Sequence, residues 1–366
     1  MLSAALYHTV YLLIVLGMTV FVMTRYAVVD FSDQERGAVI NDRIVWIITL
    51  FIVLFIGYRP ISGRYFVDMS GYAASYKVLL WGKEFHFNWD VANLIFDNLF
   101  AYMGSIKIPI EYFFLLMACV YFVCMMVACR KLFPRDAFLS LIVYLGAFST
   151  FSYGTNGIKA GAAASIFLLA LAYRENKWLA TTILLISIGF HHSMVVPVVA
   201  FVVACFSQNH RLFFGGWLFS LFLAAIHVTD FMTFFSQFTD EHGASYLDTN
   251  VKNAVLYVSG FRPDFIIYSA IPIFLGYFLI EFKKIESDTY NFLWCTYTLT
   301  NCVFLLCTYG TFINRIAYLS WLMYPFVLIY PFLYFQWHPD QNRFLRYVVY
   351  GHLGFTLFMD FIYYGI

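Results

Sequence analysis

Long apolar runs separated by short polar turns fill this chain from end to end. A membrane-spanning helix needs about 20 mostly apolar residues, and several of the runs are shorter than that. The shorter runs at 137–150, 178–191 and 193–206 are typical of half-helices or re-entrant segments, which occur where they line a protein or water-filled cavity. The predicted spans lie near 6–23, 43–57, 108–129, 137–150, 157–173, 178–191, 193–206, 211–230, 264–282, 289–309, 312–335 and 346–363.

This pattern predicts an all-α polytopic integral membrane protein with about 10–12 transmembrane helices, counting short or re-entrant segments. The composition agrees, because only 12% of the 366 residues are charged and 62% are hydrophobic, whereas a soluble domain carries roughly 25% charged residues. We expect one transmembrane domain over 1–366, with long extracytoplasmic loops at 58–107 and 231–263. Alternating aromatic and polar residues from Trp81 to Tyr102 favour amphipathic helices along the membrane interface.

The lysines and arginines indicate which face is cytoplasmic. When the spans alternate sides, thirteen of these residues fall on one face in short turns, and nine fall on the other. Positive residues concentrate in cytoplasmic loops, so the first face is expected to be cytoplasmic and the N-terminus to lie outside. If 178–206 were one long helix, each face would hold eleven. The first positive residue, Arg25, follows the run 6–23, which is therefore expected to be a retained span and not a signal peptide.

Several classes of chemistry have no support in the sequence. The net charge of +1 argues against a nucleic-acid partner. The seven cysteines lie in apolar segments without CxxC spacing or a zinc pattern, so we expect no disulfide, no metal and no cofactor. The absence of G-x-S-x-G, H-E-x-x-H and D-x-D patterns disfavours serine hydrolysis and metal-dependent transfer.

Two adjacent histidines, His191 and His192, interrupt the apolar stretch from Trp178 to Phe206. Ionisable groups at membrane depth are costly, and they often mark a pathway or a reaction centre. The alternative is that the pair lies at the water interface between two short helices. Either way, the topology places these imidazoles on the extracytoplasmic side.

The start of the first long loop carries Arg59, Arg64, Asp68 and Tyr72 within fifteen residues. Arginine binds phosphate oxygens through paired hydrogen bonds. An aspartate can act as a base or orient an acceptor hydroxyl. The alternative is an ordinary interfacial loop with a salt bridge.

Three further cations are predicted at helix starts, where the helix dipole disfavours positive charge. Lys159 opens an Ala-rich helix, Arg262 precedes the Pro263–Asp264 helix start, and Arg315 opens a late helix. These positions favour an anionic ligand such as a phosphate or diphosphate. The alternatives are a lysine that reaches the interface along its apolar stem and an ordinary cap by Asp264.

In order and spacing, these segments resemble the EpsG branch of the Wzy-type polysaccharide polymerases, which are bacterial inner-membrane proteins. The resemblance covers about residues 50 to 330. Lys159 and Ala160 stand where the family usually has Arg and Gln, and lysine keeps the charge but loses the paired geometry. The matching residues are Arg59, Asp68 and Tyr72, then Asn156–Ala160, Phe190–Ser193, Phe261–Phe265, and Asn314, Arg315 and Tyr318.

The resemblance implies a metal-independent glycosyltransferase at the extracytoplasmic face of the bacterial inner membrane. It would transfer a growing glycan from undecaprenyl diphosphate to a hydroxyl of an incoming lipid-linked repeat unit. His191 or Asp68 would accept the proton, with Arg315 beside the reacting atoms, and cations would stabilise the leaving diphosphate. The diphosphate-binding candidates are Arg59, Arg64, Lys159, Arg262 and Arg315, and the substrate-binding candidates are Tyr72, Asn156, His192, Asp264, Asn314 and Tyr318.

The partners implied are the undecaprenyl-diphosphate-linked donor and acceptor, membrane lipids, and a chain-length regulator or flippase. Two other functions remain open. A membrane O-acyltransferase or glycan ligase would need basic residues near the site on the cytoplasmic side, where an acyl donor is supplied. A lipid-linked oligosaccharide flippase or other transporter would favour internal repeats and a polar lining through the membrane.

Overall fold

The computed structural model describes residues 2–28, 42–81, 84–236, 260–311 and 313–365. Every regular element in these ranges is a helix. The chain divides into two compact units, one formed by Met1–His191 with Gln336–Ile366 and the other by His192–Phe335. We call them unit 1 and unit 2.

Unit 1 contains the first nine α-helices and the last one. They are α1 (Tyr7–Arg25), α2 (Asp42–Gly57), α3 (Val67–Leu79), α4 (Leu94–Ser105), α5 (Ile110–Leu132), α6 (Ala137–Leu145), α7 (Thr150–Thr155), α8 (Ile158–Ala172), α9 (Lys177–Phe190) and α17 (Gln341–Leu357), which continues as a π-helix (Phe358–Tyr363). Unit 2 contains α10 (Val195–Phe206), α11 (His210–Ala225), α12 (Asp230–Ser236), α13 (Pro263–Glu281), α14 (Asp288–Leu306), α15 (Ile313–Trp321) and α16 (Tyr324–Tyr334).

The predicted class, an all-α protein with several membrane spans, is confirmed. Four helical segments in the described ranges are long and apolar enough to cross a membrane: Ala4–Arg25, Ile110–Leu132, Pro263–Glu281 and Ile313–Tyr334. A fifth is reached if α11 and α12, which meet at a bend of 114°, form one broken span. Other predicted spans correspond to apolar helices of 10–17 residues, among them α2, α8 and α9. A helix of that size is shorter than a bilayer core, since each residue adds only about 1.5 Å.

Small side chains place α8 at the centre of unit 1, where it packs against α5 and α9. Gly161 lies so close to α7 that an added Cβ would be 2.5 Å from the backbone oxygen of Tyr153. Ser187 of α9 donates a 2.8 Å hydrogen bond to the backbone oxygen of Ala163. Residues without bulk allow helices to approach closely in a membrane, and here they fix the start of α8 against the end of α7.

Buried polar side chains join the helices of unit 2. The indole of Trp217 donates to the amide oxygen of Asn301 at 2.8 Å, and the same amide donates to the hydroxyl of Ser320 at 2.9 Å. The indole of Trp321 donates to the hydroxyl of Ser269 at 2.6 Å. Such bonds satisfy polar groups that lack water, and they hold α11, α13 and α15 in one register around α14.

The first long loop contains helices, but they cover only part of the region in which the sequence predicted them. The amphipathic helix expected from Trp81 is wrong over 84–93, where the described chain is non-helical, and α4 begins only at Leu94. The reason is local: the amide of Asn98 donates to two backbone oxygens and accepts a 2.7 Å bond from the backbone N–H of Asn88. Side-chain bonds of this kind compete with helical ones. In the second loop, 237–259 lies outside the described residues.

Candidate functional site

Arg59 is the most buried of the predicted site cations, with a relative exposure of 3%. It follows the end of α2 and donates a 2.8 Å hydrogen bond from Nη1 to the backbone oxygen of Ile56. Nη2 donates a 2.6 Å bond to the backbone oxygen of Thr155, the last residue of α7. The rings of Phe66 and Phe114 lie 5.7 and 5.3 Å from the guanidinium carbon. Arg59 therefore fastens the ends of two helices together inside an aromatic cluster.

Helix ends explain how this cation is tolerated. The carboxyl end of a helix carries partial negative charge, and Arg59 binds one such end on each of two helices. In the part of the chain that the structure describes, no carboxylate pairs with it. Burial lowers the pKa of the Arg59 guanidinium to about 9, which still leaves it charged at neutral pH. The salt bridge considered for this loop is therefore not the role of Arg59.

Two buried polar atoms, one of Arg59 and one of Asn156, have no hydrogen-bond partner among the described residues. They are Nε of Arg59, which donates, and Oδ1 of Asn156, which accepts. Asn156 directly follows Thr155, whose carbonyl Arg59 binds. Buried polar atoms normally have partners, and unpaired ones point to a ligand or ordered water. A hydroxyl both donates and accepts, so it matches this pair of requirements.

The helix start predicted at Lys159 is confirmed. Asn156 ends α7, Gly157 is the N-cap of α8, and Lys159 lies in the first turn of α8, half-buried. The positive side chain thus lies close to helix N–H groups, where the dipole disfavours it. We call the turn from Asn156 to Lys159, together with the Arg59 side chain that binds the preceding Thr155, the clasp turn.

The remaining first-loop candidates lie on or just before α3. Asp68 is in the first turn of α3, where the dipole favours a carboxylate, and is half-buried. Tyr72 packs edge-on against Phe96 and Phe100 of α4, with ring centroids 5.8 and 6.0 Å apart. Arg64 is exposed and lies over the ring of its neighbour Tyr65. Asp68 and Tyr72 are therefore presented by a helix within the first long loop, and Arg64 lies just before it.

The histidine pair marks a break between two helices. His191 is the C-cap of α9 in an extended conformation, and His192 opens a single 3-10 turn before α10. Both are half-buried. The prediction of two short helices joined at the histidines is confirmed, and the alternative of one long helix over 178–206 is wrong. The chain passes from unit 1 to unit 2 between these two residues.

Arg262 and Asp264 in unit 2 pair with each other. Nε and Nη2 of Arg262 donate to the two carboxylate oxygens of Asp264 at 2.9 and 2.5 Å. The guanidinium also lies over the ring of Phe265, 3.9 Å from its centroid. Pro263 begins α13 as predicted. An anion at Arg262 would have to compete with the carboxylate of Asp264, which occupies one edge of the guanidinium, and the anion site expected there stays a prediction.

The last of the sequence motifs, Asn314, Arg315 and Tyr318, lies within α15. Arg315 is exposed and lies in the first turn of α15, as predicted, and Asn314 beside it is half-buried. Tyr318 is buried against Trp321, with ring centroids 5.5 Å apart. Trp321 also contacts Phe265 edge-on at 5.0 Å. The two unit 2 motifs, each identified separately in the sequence, therefore share one aromatic cluster.

One ionisable pair in unit 1 was not among the sequence candidates. His8 near the start of α1 lies 3.2 Å from a carboxylate oxygen of Asp360 in the terminal π-helix. A signal was present, since an aspartate inside the apolar run 346–363 is costly at membrane depth. The sequence did not indicate its partner, because the two residues lie at opposite ends of the chain.

Comparison with known proteins supports the resemblance. The chain matches the EpsG family over residues 43–364, which is most of its length. No curated protein and no solved structure matches it. With several membrane-spanning helices and this match, the chain belongs to the EpsG family, a family of membrane proteins linked to exopolysaccharide synthesis.

Proposed function

We propose that this protein is a polysaccharide polymerase of the bacterial cytoplasmic membrane. It transfers a growing glycan from undecaprenyl diphosphate to a hydroxyl of an incoming lipid-linked repeat unit on the extracytoplasmic face. Membership of the EpsG family supports a place in polysaccharide synthesis. The observation that carries the proposal is the clasp turn. Among the described residues, the buried Arg59 has no carboxylate partner, its Nε has no acceptor, and Oδ1 of Asn156 has no donor.

The clasp turn fits a sugar hydroxyl better than a diphosphate. Both terminal nitrogens of Arg59 already donate to helix-end carbonyls, so one edge of the guanidinium is largely used. A diphosphate spreads charge over many oxygens and is bound best by open, paired donors. We therefore assign Arg59 to acceptor binding and to positioning of Asn156. Lys159 and the exposed Arg64 remain the diphosphate candidates of unit 1.

Unit 2 contains two of the candidate diphosphate-binding cations, Arg262 and Arg315. Arg315 is exposed at the start of α15, while Arg262 is held by Asp264. A diphosphate that approached Arg262 would compete with that carboxylate for the same two donors. Arg315, which is exposed, is the second diphosphate candidate of this unit. Such cations stabilise the negative charge that develops on the leaving diphosphate, which is the task a metal ion performs in other transferases.

The chemistry is a single displacement at the anomeric carbon of the growing chain. The acceptor oxygen forms the new bond to that carbon as its O–H bond breaks, and the proton passes to Asp68 or His191. The bond from the carbon to the diphosphate oxygen breaks, and undecaprenyl diphosphate leaves with the electron pair. Asp68 and His191 are both half-buried in unit 1. No further reactant is needed.

Reconstitution provides the test. Lipid-linked repeat units are extracted from a strain that lacks the gene and are incorporated with the purified full-length protein into vesicles. A ladder of longer lipid-linked glycans is the expected product, without added metal. Repeat units that gain acetyl groups at constant length would instead support the acyltransferase. Repeat units that only change leaflet would support a transporter.

A further inference from the structure

A histidine and an aspartate from opposite ends of the chain meet in unit 1. Nε2 of His8 lies 3.2 Å from Oδ2 of Asp360, and their side chains are 16% and 7% exposed. Asp360 belongs to the π-helix that follows α17, the only π-helix among the described residues. The wider turn of a π-helix redirects a side chain and is frequent at functional sites. The geometry brings Asp360 to α1, which packs against α17.

The pair sets the hydrogen-bonding state of the imidazole. A buried carboxylate needs a donor, and Nε2–H of His8 is in position to supply one. Nδ1 is then the ring nitrogen that remains to pair with another group. Asp360 therefore acts as a positioning residue, and Nδ1 of His8 is the atom that pairs with one hydroxyl. His8 is the more accessible partner of the two.

Aromatic rings connect this pair to the clasp turn. His8 stacks on Phe151, with ring centroids 4.1 Å apart and planes 3° from parallel. Phe151 also contacts Phe66 at 6.4 Å, and Phe66 lies 5.7 Å from the guanidinium carbon of Arg59. Binding sites for polar, ring-shaped ligands typically combine aromatic walls with a few placed polar groups. In unit 1, Phe151 and Phe66 are buried rings that form one packed aromatic cluster with a polar group, His8 or Arg59, at each end.

We propose that His8, positioned by Asp360, is a second hydroxyl-binding residue for the acceptor glycan and helps to determine which sugar is accepted. This inference rests on the proposed polymerase function. Sites that bind a hydroxyl discriminate strongly against analogues without it, because the polar group is then left unpaired.

The experiment separates binding from chemistry by measuring KM and kcat for chain extension. The probe is the lipid-linked repeat unit extracted from the deletion strain, and the protein is full-length in vesicles. His8→Phe keeps a ring against Phe151 but removes both ring nitrogens. We expect its KM to rise by roughly tenfold to a hundredfold with kcat within about threefold of wild type. His8→Gln keeps a donor and an acceptor and should lose less.

Tyr11→Phe is the matched control. Tyr11 lies on the same helix and packs against the same ring of Phe151, at 5.0 Å, but its hydroxyl donates to the backbone oxygen of Leu145. Its loss should lower the unfolding temperature and leave KM unchanged. If KM rises as much in Tyr11→Phe as in His8→Phe, the loss of packing against Phe151 explains both effects, and the proposal is overturned.

Other outcomes are equally decisive. An unchanged KM in both His8 variants would overturn the proposal while the polymerase function stands. A collapse of kcat at constant KM would also overturn it, since His8 would then take part in proton transfer. If His8→Phe fails to fold, His8→Gln carries the test. If the wild-type protein makes no ladder, the proposed function fails, and this inference fails with it.

Discussion

Two glycines inside helices provide a sharp test of how the clasp turn is held. Gly161 of α8 and Gly17 of α1 are both helical, and each can be replaced by alanine. At Gly161, an added Cβ would lie 2.5 Å from the backbone oxygen of Tyr153 and 3.0 Å from its carbonyl carbon. At Gly17, nothing lies within 4 Å of an added Cβ. The same substitution should therefore have opposite effects at the two positions.

The magnitude follows from the distances. Ordinary contacts begin near 3.4 Å, so α7 and α8 must separate by about 0.9 Å to admit the Cβ at Gly161. Replacing glycine by alanine inside a helix stabilises by about 0.5–1 kcal/mol, and overpacking costs about 1–3 kcal/mol. We therefore expect Gly17→Ala to gain about 0.5–1 kcal/mol. Gly161→Ala should lose about 0–2 kcal/mol in the free energy of unfolding.

The effect on activity should be larger than the effect on stability. Tyr153 belongs to α7, whose last carbonyl is bound by Arg59 and whose C-cap is Asn156. A shift of α7 therefore moves the clasp turn as a whole. Misplacement of a substrate-positioning group by about 1 Å can lower a rate by roughly a hundredfold. We expect Gly161→Ala to lose about that factor in chain extension.

The assay is chain extension in vesicles, paired with thermal unfolding of the purified protein in detergent. Gly17→Ala should extend chains at the wild-type rate and unfold at a higher temperature. The reasoning would be refuted if Gly161→Ala were fully active and as stabilised as Gly17→Ala. That result would mean that α7 can move away from α8 without displacing the clasp turn.

Five further substitutions test individual roles. Arg59→Lys replaces a guanidinium, which donates from two terminal nitrogens, by a single ammonium group. Loss of one charged hydrogen bond should lower the free energy of unfolding by about 1.5–3 kcal/mol, measured by thermal unfolding. Asp264→Asn releases Arg262 from its carboxylate, and we expect tighter binding of the lipid-linked donor, measured as a lower KM at constant protein abundance. Arg315→Ala and His191→Ala should abolish chain extension with normal membrane insertion, and Arg315→Lys should restore only part of it.

Each of these has an outcome that would contradict it. An unchanged free energy of unfolding in Arg59→Lys would mean that the two helix-end carbonyls do not need the paired nitrogen donors of a guanidinium. A higher donor KM in Asp264→Asn would mean that the carboxylate binds substrate or that the pair is required as a unit. Full activity of both Arg315→Ala and His191→Ala would remove these residues from the site.

The sequence predicted the helices well where an apolar run was bounded by clear turn residues. The run at 157–173 became α8, and 178–191 became α9, whose N-cap Asn176 accepts from the backbone of Leu179 at 3.1 Å. The run at 312–335 became the candidate span Ile313–Tyr334, within which α15 ends at Trp321 and α16 begins at Tyr324. Pro325 in the first turn of α16 was the available signal, because proline favours a helix start.

Side-chain pairing was the part that the sequence could not predict. Arg262 was expected to be open to an anion, but its guanidinium pairs with Asp264 two residues away, which depends on rotamers and not on spacing. Arg59 was treated as a phosphate ligand because arginine often is one. Its actual contacts are two backbone carbonyls, and any residue can supply a backbone carbonyl. The residue types in a sequence therefore do not predict such a contact.

The small residues of α8 also have an entropic consequence. Glycine and alanine have no side-chain rotamers to lose, so packing α8 against its neighbours restricts few degrees of freedom. The helix is held by direct backbone contact, as at Gly161 and Tyr153, and such contacts leave little room for alternative arrangements. The fold itself therefore holds the turn that carries Asn156 and Lys159, and the proposed glycan would meet this turn already in place. Binding need not then restrict that turn further, and more of the interaction energy remains available for affinity.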